Sequence, residues 1–532
     1  MIIENFITYI SREKNADYLQ FVPSTSLDIQ TRAADTPTLL YMHVPFCEEL
    51  CPYCSFNRVV FQEGLAREYF RALRKEILMY KKLGYDFQAL YVGGGTPTVL
   101  IDELEETIHL IKENYHISEI SVETNPNHLT GRNIERLKGM GVNRLSVGVQ
   151  TFDNDILKAL ERYHKYGSGD EIADRLKYTQ GSFDTLNVDM IFNFPMQTME
   201  ILENDLSVLI GLGVDQITYY PLMVSAYTKD VMSKKLGIVN YEKGNQLYFR
   251  ITEMLSANYK ASTAWCFSKK ERVSSEREGE APSEPFEPFK PLKPFEPLGS
   301  EGVTPLREQA PAKRGQAQAL SNINVSAINS SQGEREGEAP RTLFVEGATL
   351  APMHINVSAI NSSHGEREGE APTALPVEGA TRAPIIDEYV VHYEEYAGVG
   401  SGSIGYLNGS AYANTFDIRT YIDQVDRGML PITGKRVFSI KERMCYDFLM
   451  KLFGLSLDIK ELSIRNKVNV YRYLWSEILF FRLVGGLKKS GNILHLTKKG
   501  QYYWVLMMRE FFIGVNNFRD FCRAEMMSKT KH

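Results

Sequence analysis

Residues 43–54, HVPFCEELCPYC, place Cys47, Cys51 and Cys54 in the pattern C-x3-C-x2-C, in a chain of 532 residues that holds only six cysteines. Six is too sparse for a disulfide scaffold, and in a reducing compartment a tight cysteine group reads as a metal or redox site. Three thiolates on one loop can ligate three irons of a cubane [4Fe-4S] cluster and leave the fourth iron open to a non-protein ligand. A structural zinc ion asks for four nitrogen or sulfur ligands, and His43 would have to be the fourth. Buried, unligated thiols are a further alternative.

Outward from this loop, apolar strands alternate with helical patterns. Candidate strands are TLLYMHVPF (38–46), FQALYVGG (87–94), EISVETNP (119–126), RLSVGVQT (144–151), TLNVDMIFNFP (185–195) and QITYYPLMV (216–224). The stretches between them, LAREYFRALRKEILMYKKLG, IDELEETIHLIKENY and TGRNIERLKGMG among them, read as amphipathic helices stopped by glycine. Six such units predict a parallel sheet covered by helices, in an open or partial-barrel form. Polar residues interrupt the strands at their carboxyl ends. The cysteine loop follows the first, Gly93 to Thr98 follow the second, Glu123 ends the third and Gln150 the fourth. Parallel α/β folds build their sites at that edge.

Composition sets the remaining bounds. A hydrophobic content of 43% supports large cores, and a net charge of -6 gives no general attraction to phosphate backbones, so nucleic acid is not an expected partner. The N-terminus, MIIENFITYISREK, has neither the basic start nor the apolar core of a secretory signal, and no apolar run reaches membrane-spanning length. A cytoplasmic location is the expectation.

Residues 269–385 break the pattern. EPFEPFKPLKPFEPLG carries proline at every third position, INVSAINSSQGEREGEAP at 323–340 returns as INVSAINSSHGEREGEAP at 355–372, and VEGATLAP at 345–352 returns as VEGATRAP at 377–384. The copies lack the apolar positions that a stacked repeat must bury, so the stretch reads as a disordered, repeat-derived insert. A folded host tolerates it, because loop-closure entropy grows only logarithmically with length. The organisation expected is an N-terminal extension (1–35), a core (36–268), this insert, and a mostly helical C-terminal domain (386–532).

The motifs YMHVPFCEELCPYCSF, GGGTPT, SVETNP, GVNRLSVGVQTFD, LKALERYHKY and VDMIFNFPMQT together resemble the radical S-adenosylmethionine (SAM) superfamily, in particular the oxygen-independent coproporphyrinogen III oxidases and their haem-chaperone and haem-degrading methyltransferase relatives. The resemblance covers residues 38 to about 268 and, more loosely, 386 to about 515. It implies a partial (β/α)6 radical SAM barrel in which Cys47, Cys51 and Cys54 hold a [4Fe-4S] cluster and SAM chelates the open iron, a tetrapyrrole or haem as ligand, and a reducing electron donor such as flavodoxin. One electron from the cluster then releases a 5'-deoxyadenosyl radical. Carried over position by position, Tyr41, Tyr53, Gly94, Gly95, Thr96, Glu123, Gln150, Arg162 and Asp189 would surround the cofactor. Glu123 would accept from the methionine ammonium, Arg162 would pair with its carboxylate, and Gln150 and Asp189 would bond the ribose. The activity implied first is oxidative decarboxylation of a propionate, with haem chaperoning and radical methyl transfer as alternatives. One position departs from the oxidases: the cysteine they usually carry two residues after the third ligand is Phe56 here.

Overall fold

A computed structural model describes residues 2–24, 38–270, 393 and 395–529. Apart from Lys269 and Lys270, the expected insert (269–385) lies outside the described residues. The middle of the sheet is six parallel strands: β1 (Thr38–Val44), β2 (Ala89–Gly94), β3 (Glu119–Thr124), β4 (Arg144–Gln150), β5 (Thr185–Phe192) and β6 (Gln216–Pro221), hydrogen-bonded in that order. Helices α2 (Glu63–Lys82), α3 (Ile101–Asn114), α4 (Gly131–Met140), α5 (Gly169–Thr179) and α6 (Met199–Leu212) make the crossovers, after an N-terminal helix α1 (Ile2–Tyr18). This is the helix-covered parallel sheet that the strand–helix alternation predicts.

Local sequence explains the element ends. Thr130 Oγ1 accepts from the Asn133 amide at 3.3 Å to start α4, and Gly141, at φ +82°, closes it in the left-handed conformation that glycine adopts at no steric cost. Ser168 and Glu171 form a capping box on α5. Helix α3 ends at Tyr115 in extended backbone, without the glycine stop expected for the helices. Helix α2 buries Ala66, Phe70, Leu73, Ile77 and Tyr80 on one face, the 3–4 spacing of a stripe against the sheet. Every residue of β1 and β2 is buried.

The sheet continues beyond both edges of this array. On one side β8 (Cys266–Lys269) runs antiparallel to β6 and pairs with β7 (Tyr259–Ala261). On the other, β9 (Glu395–Val399) lies parallel to β1, with Val399 opposite Met42, and β10 (Ile404–Leu407), β11 (Ser410–Asn414) and β12 (Ile432–Val437) follow antiparallel. The stretch 395–405 is therefore a strand and a tight turn entering a second strand. Helices and a small three-stranded sheet (Ser456–Asp458, Leu487–Ser490, Ile493–Leu496) come next, and then α7 (Lys498–Lys529). Trp265, fully buried, packs on Phe453 with ring centroids 4.7 Å apart and joins this part to the core. Among the described residues, no helix is long and apolar enough to cross a membrane.

Candidate metal and cofactor site

The cysteine loop leaves the carboxyl end of β1 and is closed at its base, where Phe46 and Cys47 pair in parallel with Val59 and Val60. Arg58 grips it from within, donating from Nη2 to the carbonyls of Cys51 and Cys54 at 2.5 Å each. Asn57 anchors it to the turn after β9 by donating to the Ser401 carbonyl at 3.0 Å. All three cysteines border one cavity of about 400 Å³. Burial pushes the Cys47 thiol up to about 12, so a thiolate there needs a cationic partner.

His43 is not available as a metal ligand. Its Nε2 donates to the Asn57 carbonyl at 2.8 Å, which leaves Nδ1 to accept from the Tyr41 hydroxyl at 2.9 Å. Burial holds the ring neutral, down to about 4. The four-ligand zinc alternative thereby loses its fourth ligand. Among the described residues no group of three or more His, Cys, Asp and Glu side chains could hold a metal ion. A cubane asks for a different arrangement, because each thiolate binds its own iron and the ligands surround a body, not a point.

The glycine run at the end of β2 is explained by close approach. A Cβ on Gly93 would stand 2.7 Å from Glu123 Oε1, one on Gly94 2.7 Å from the His43 ring, and one on Gly95 2.6 Å from the Phe46 carbonyl oxygen. Gly94 also sits at φ +115°. With no side chains there, Glu123 folds in against β2 and accepts from Tyr91 Oη at 2.9 Å and from the Gly94 amide at 3.2 Å. Gln150 adopts φ +78°, and the register of β4 against β5 slips between Gly148 and Gln150, a bulge of the kind that re-aims a side chain. Asp189 accepts from Ser146 at 2.7 Å and from Asn187 at 2.8 Å.

Arg162, only 3% exposed, reaches the loop from the segment after β4. Its Nη1 lies 3.6 Å from Cys51 Sγ and 3.2 Å from Tyr53 Oη, its Nη2 donates to the Gly148 carbonyl, and its guanidinium stacks 4.2 Å from the Tyr166 ring centre. Its Nε is buried without a hydrogen-bond partner, as are Nε and Nη1 of Arg58.

Tyr41, Tyr53, Gly94, Gly95, Glu123, Gln150, Arg162 and Asp189 thus share one cavity wall with the cysteines. Thr96 stands just behind, its hydroxyl 3.7 Å from Cys47 Sγ and accepting from Asn125 Nδ2 at 2.8 Å. Sequence reasoning missed Arg58, Asn125 and, on α7, Arg519, which also line the cavity. Arg58 follows the last cysteine by four positions and carried no motif signal. Of the three cysteines outside the loop, Cys266 is buried, whereas Cys445 and Cys522 are half-buried.

Residues 41–209 match the Radical SAM superfamily. The chain carries a radical SAM domain. Proteins of this superfamily use a [4Fe-4S] cluster and SAM, and the residues of this radical SAM domain fit both: three thiols on one loop, a run of glycines beside it, and a carboxylate and a guanidinium lining the same cavity. The chain is similar to the haem chaperone HemW of Bacillus subtilis (32% identical over 228 residues, 41% of this chain and 60% of that protein). It is also similar to the oxygen-independent coproporphyrinogen III oxidase of Salmonella typhimurium (31% over 208 residues, 38% of this chain and 45% of that protein). It therefore spans three fifths or less of these relatives. The fold matches that of coproporphyrinogen III oxidase (HemN) from Escherichia coli with a TM-score of 0.61 at 16% identity, over 93% of this chain and 95% of that one.

Proposed function

We propose that this radical SAM protein holds a tetrapyrrole in the chamber that opens from the cluster loop, and that the ligand is of the haem type. The cavity does not stop at the cofactor wall. It runs on past Tyr220, Leu222 and Met223 to Tyr396, Tyr406 and Met450, a lining of aromatic and apolar side chains suited to a large flat ring. When bound, the cluster and SAM supply a 5'-deoxyadenosyl radical. The chain's part is to position and shield: Glu123 offers acceptors to an ammonium, Arg162 a guanidinium to a carboxylate, Gln150 and Asp189 hydrogen bonds to a ribose, and the apolar walls exclude water.

The observation that carries the haem-type reading is the supply of positive charge. Coproporphyrinogen III bears a propionate on every pyrrole ring, whereas haem bears one on only two. Only three guanidiniums line the cavity among the described residues, and all are engaged: Arg58 and Arg162 with the cysteine loop and its neighbours, Arg519 with Asn516, so the lining is poor in cations for a ligand with four propionates. Phe56, in place of the oxidases' additional cysteine, points the same way. Oxidative decarboxylation of coproporphyrinogen III is the second reading, favoured by the likeness to the Salmonella oxidase.

An anaerobic assay of reconstituted protein with dithionite and SAM, offered haem or coproporphyrinogen III in parallel, separates the two. Tetrapyrrole mass and deoxyadenosine are followed together. Stable haem binding, with coproporphyrinogen III unchanged, is expected. Loss of about 44 mass units per propionate together with two hydrogens, the mass balance of a decarboxylation to vinyl, would establish the oxidase reading instead.

A further inference from the structure

Ligation of a cluster requires Cys47, Cys51 and Cys54 as thiolates. Three thiolates outweigh the charge of an oxidised cubane core, so the assembly is an anion before the reducing electron arrives and a stronger one afterwards. Arg58 stands beside that anion. Its Nη2 is committed to the loop, donating to the carbonyls of Cys51 and Cys54. Its other two nitrogens, Nε and Nη1, are buried without a hydrogen-bond partner, in a residue that lines the same cavity as the three thiols. Arg162 differs here, because both of its terminal nitrogens already have protein partners, Tyr53 and Gly148 among them. Burial works against the Arg58 charge, and the thiols outweigh it, Cys54 most and then Cys47 and Cys51. In return Arg58 pulls back the Cys47 thiol that burial pushes up.

A buried donor left without a partner is costly, and the protein supplies no acceptor that meets these two. Positive charge and N–H donors beside a cluster stabilise its reduced state more than its oxidised state, because the reduced state is the more negative. We propose that Arg58 is a redox-tuning residue: tied to the loop by Nη2, it offers Nε and Nη1 to the bound cluster and raises the potential at which the cluster takes up its electron, so that a milder one-electron donor suffices. The proposal rests on the cluster assigned to the three cysteines. Arg58 acts through that cluster and does not touch the substrate.

A redox titration of the reconstituted full chain, followed by electron paramagnetic resonance without SAM, tests this. In Arg58→Gln, at equal iron content, the ratio of reduced to oxidised cluster at a fixed potential should fall about tenfold, a shift of about 59 mV for a one-electron couple. Arg58→Lys, which keeps the charge, should lie between this variant and wild type. The sign separates tuning from scaffolding, since a loosened loop admits water and moves the ratio the other way. An unchanged or raised ratio in Arg58→Gln therefore overturns the proposal. Wild type prepared with isotope-labelled arginine supplies a test that needs no variant to fold: pulsed resonance of the reduced cluster should detect arginine nitrogen, and its absence overturns the proposal. So does a nitrogen signal that persists unaltered in Arg58→Lys, which would belong to Arg162. If neither variant assembles a cluster, Arg58 is a scaffold of the loop and the proposal fails. Wild type that binds no iron sinks the parent assignment instead, and is distinguishable from all of these.

Discussion

The buried carboxylate of Glu76 and the guanidiniums of Arg58 and Arg162 beside the cysteine loop are built to different standards. On α2, Glu76 is fully buried, and both its oxygens are satisfied: Oε1 accepts from Asn414 Nδ2 at 2.8 Å, and Oε2 from the Gly400 amide at 2.7 Å and Tyr421 Oη at 2.6 Å. It clasps α2 to the turn after β9. Across β1, Arg58 and Arg162 keep nitrogens buried without hydrogen-bond partners and line an open cavity. A satisfied buried charge closes a structure, whereas an incompletely satisfied one beside a cavity is arranged for something that arrives later. We therefore read the carboxylate as part of the fold and propose that the guanidiniums serve the ligand.

The largest effect should come from the cluster loop. Cys51→Ala should abolish cluster iron and the broad visible absorbance of the reconstituted protein, and with them deoxyadenosine formation, while the circular dichroism of the fold is retained. Full iron content in this variant would move the ligands elsewhere. Next, Gly93→Ala places a Cβ against the Glu123 carboxylate and should weaken SAM binding by about 10–100-fold, a loss of about 1–3 kcal/mol, with iron content unchanged. Equilibrium dialysis with labelled SAM reads this, and an unaltered affinity would remove Glu123 from the cofactor site.

The clasp should respond to pH instead of to ligand. Burial raises Glu76 to about 7 against the hydrogen bonds from Tyr421, Gly400 and Asn414, and burial likewise raises Asp205 to about 7. The unfolded chain releases these protons near pH 4.5 for Glu76 and near 3.8 for Asp205, and the folded one only near 7 for both. Stability from each is thus full below its unfolded value, falls as pH rises through 7, and is level above it, a change on the order of 3–4 kcal/mol per group. Melting temperature should fall between pH 5 and 8. Glu76→Gln should flatten part of that slope and lower the baseline, since a single amide oxygen cannot meet donors on both sides, yet leave SAM affinity intact. A slope identical to wild type would contradict the assignment. The smallest effect is expected from removing residues 271–384, which should leave iron content and SAM binding as they are. Loss of the iron chromophore would show that the segment supports the site.

Much of this was legible in the sequence, for physical reasons. The six parallel strands are short apolar runs between amphipathic helices, and their observed bounds fall within three residues of those read from pattern alone. The cysteines, Glu123 and Gln150 were visible because they interrupt such runs at one end. What escaped was non-local. Strand β9 reads as a loop because Gly398 sits in it, and that glycine is required by the Ile404 carbonyl oxygen, 2.5 Å from where a Cβ would be. The Glu76 clasp joins residues more than 300 positions apart, and Arg523 meets Phe56 over 467. No spacing rule reaches that far. Arg58 is local but silent, since its partners are backbone carbonyls, which carry no residue identity.

We propose that Cys47, Cys51 and Cys54 hold the cluster and leave one iron for SAM. The most direct test is the electron paramagnetic resonance spectrum of the anaerobically reconstituted, dithionite-reduced protein, recorded before and after adding SAM. A reduced [4Fe-4S] signal that shifts when SAM is added, in wild type but not in Cys51→Ala, is the predicted result. A reconstituted wild-type protein with no such signal, or with one that SAM leaves unmoved, would contradict it.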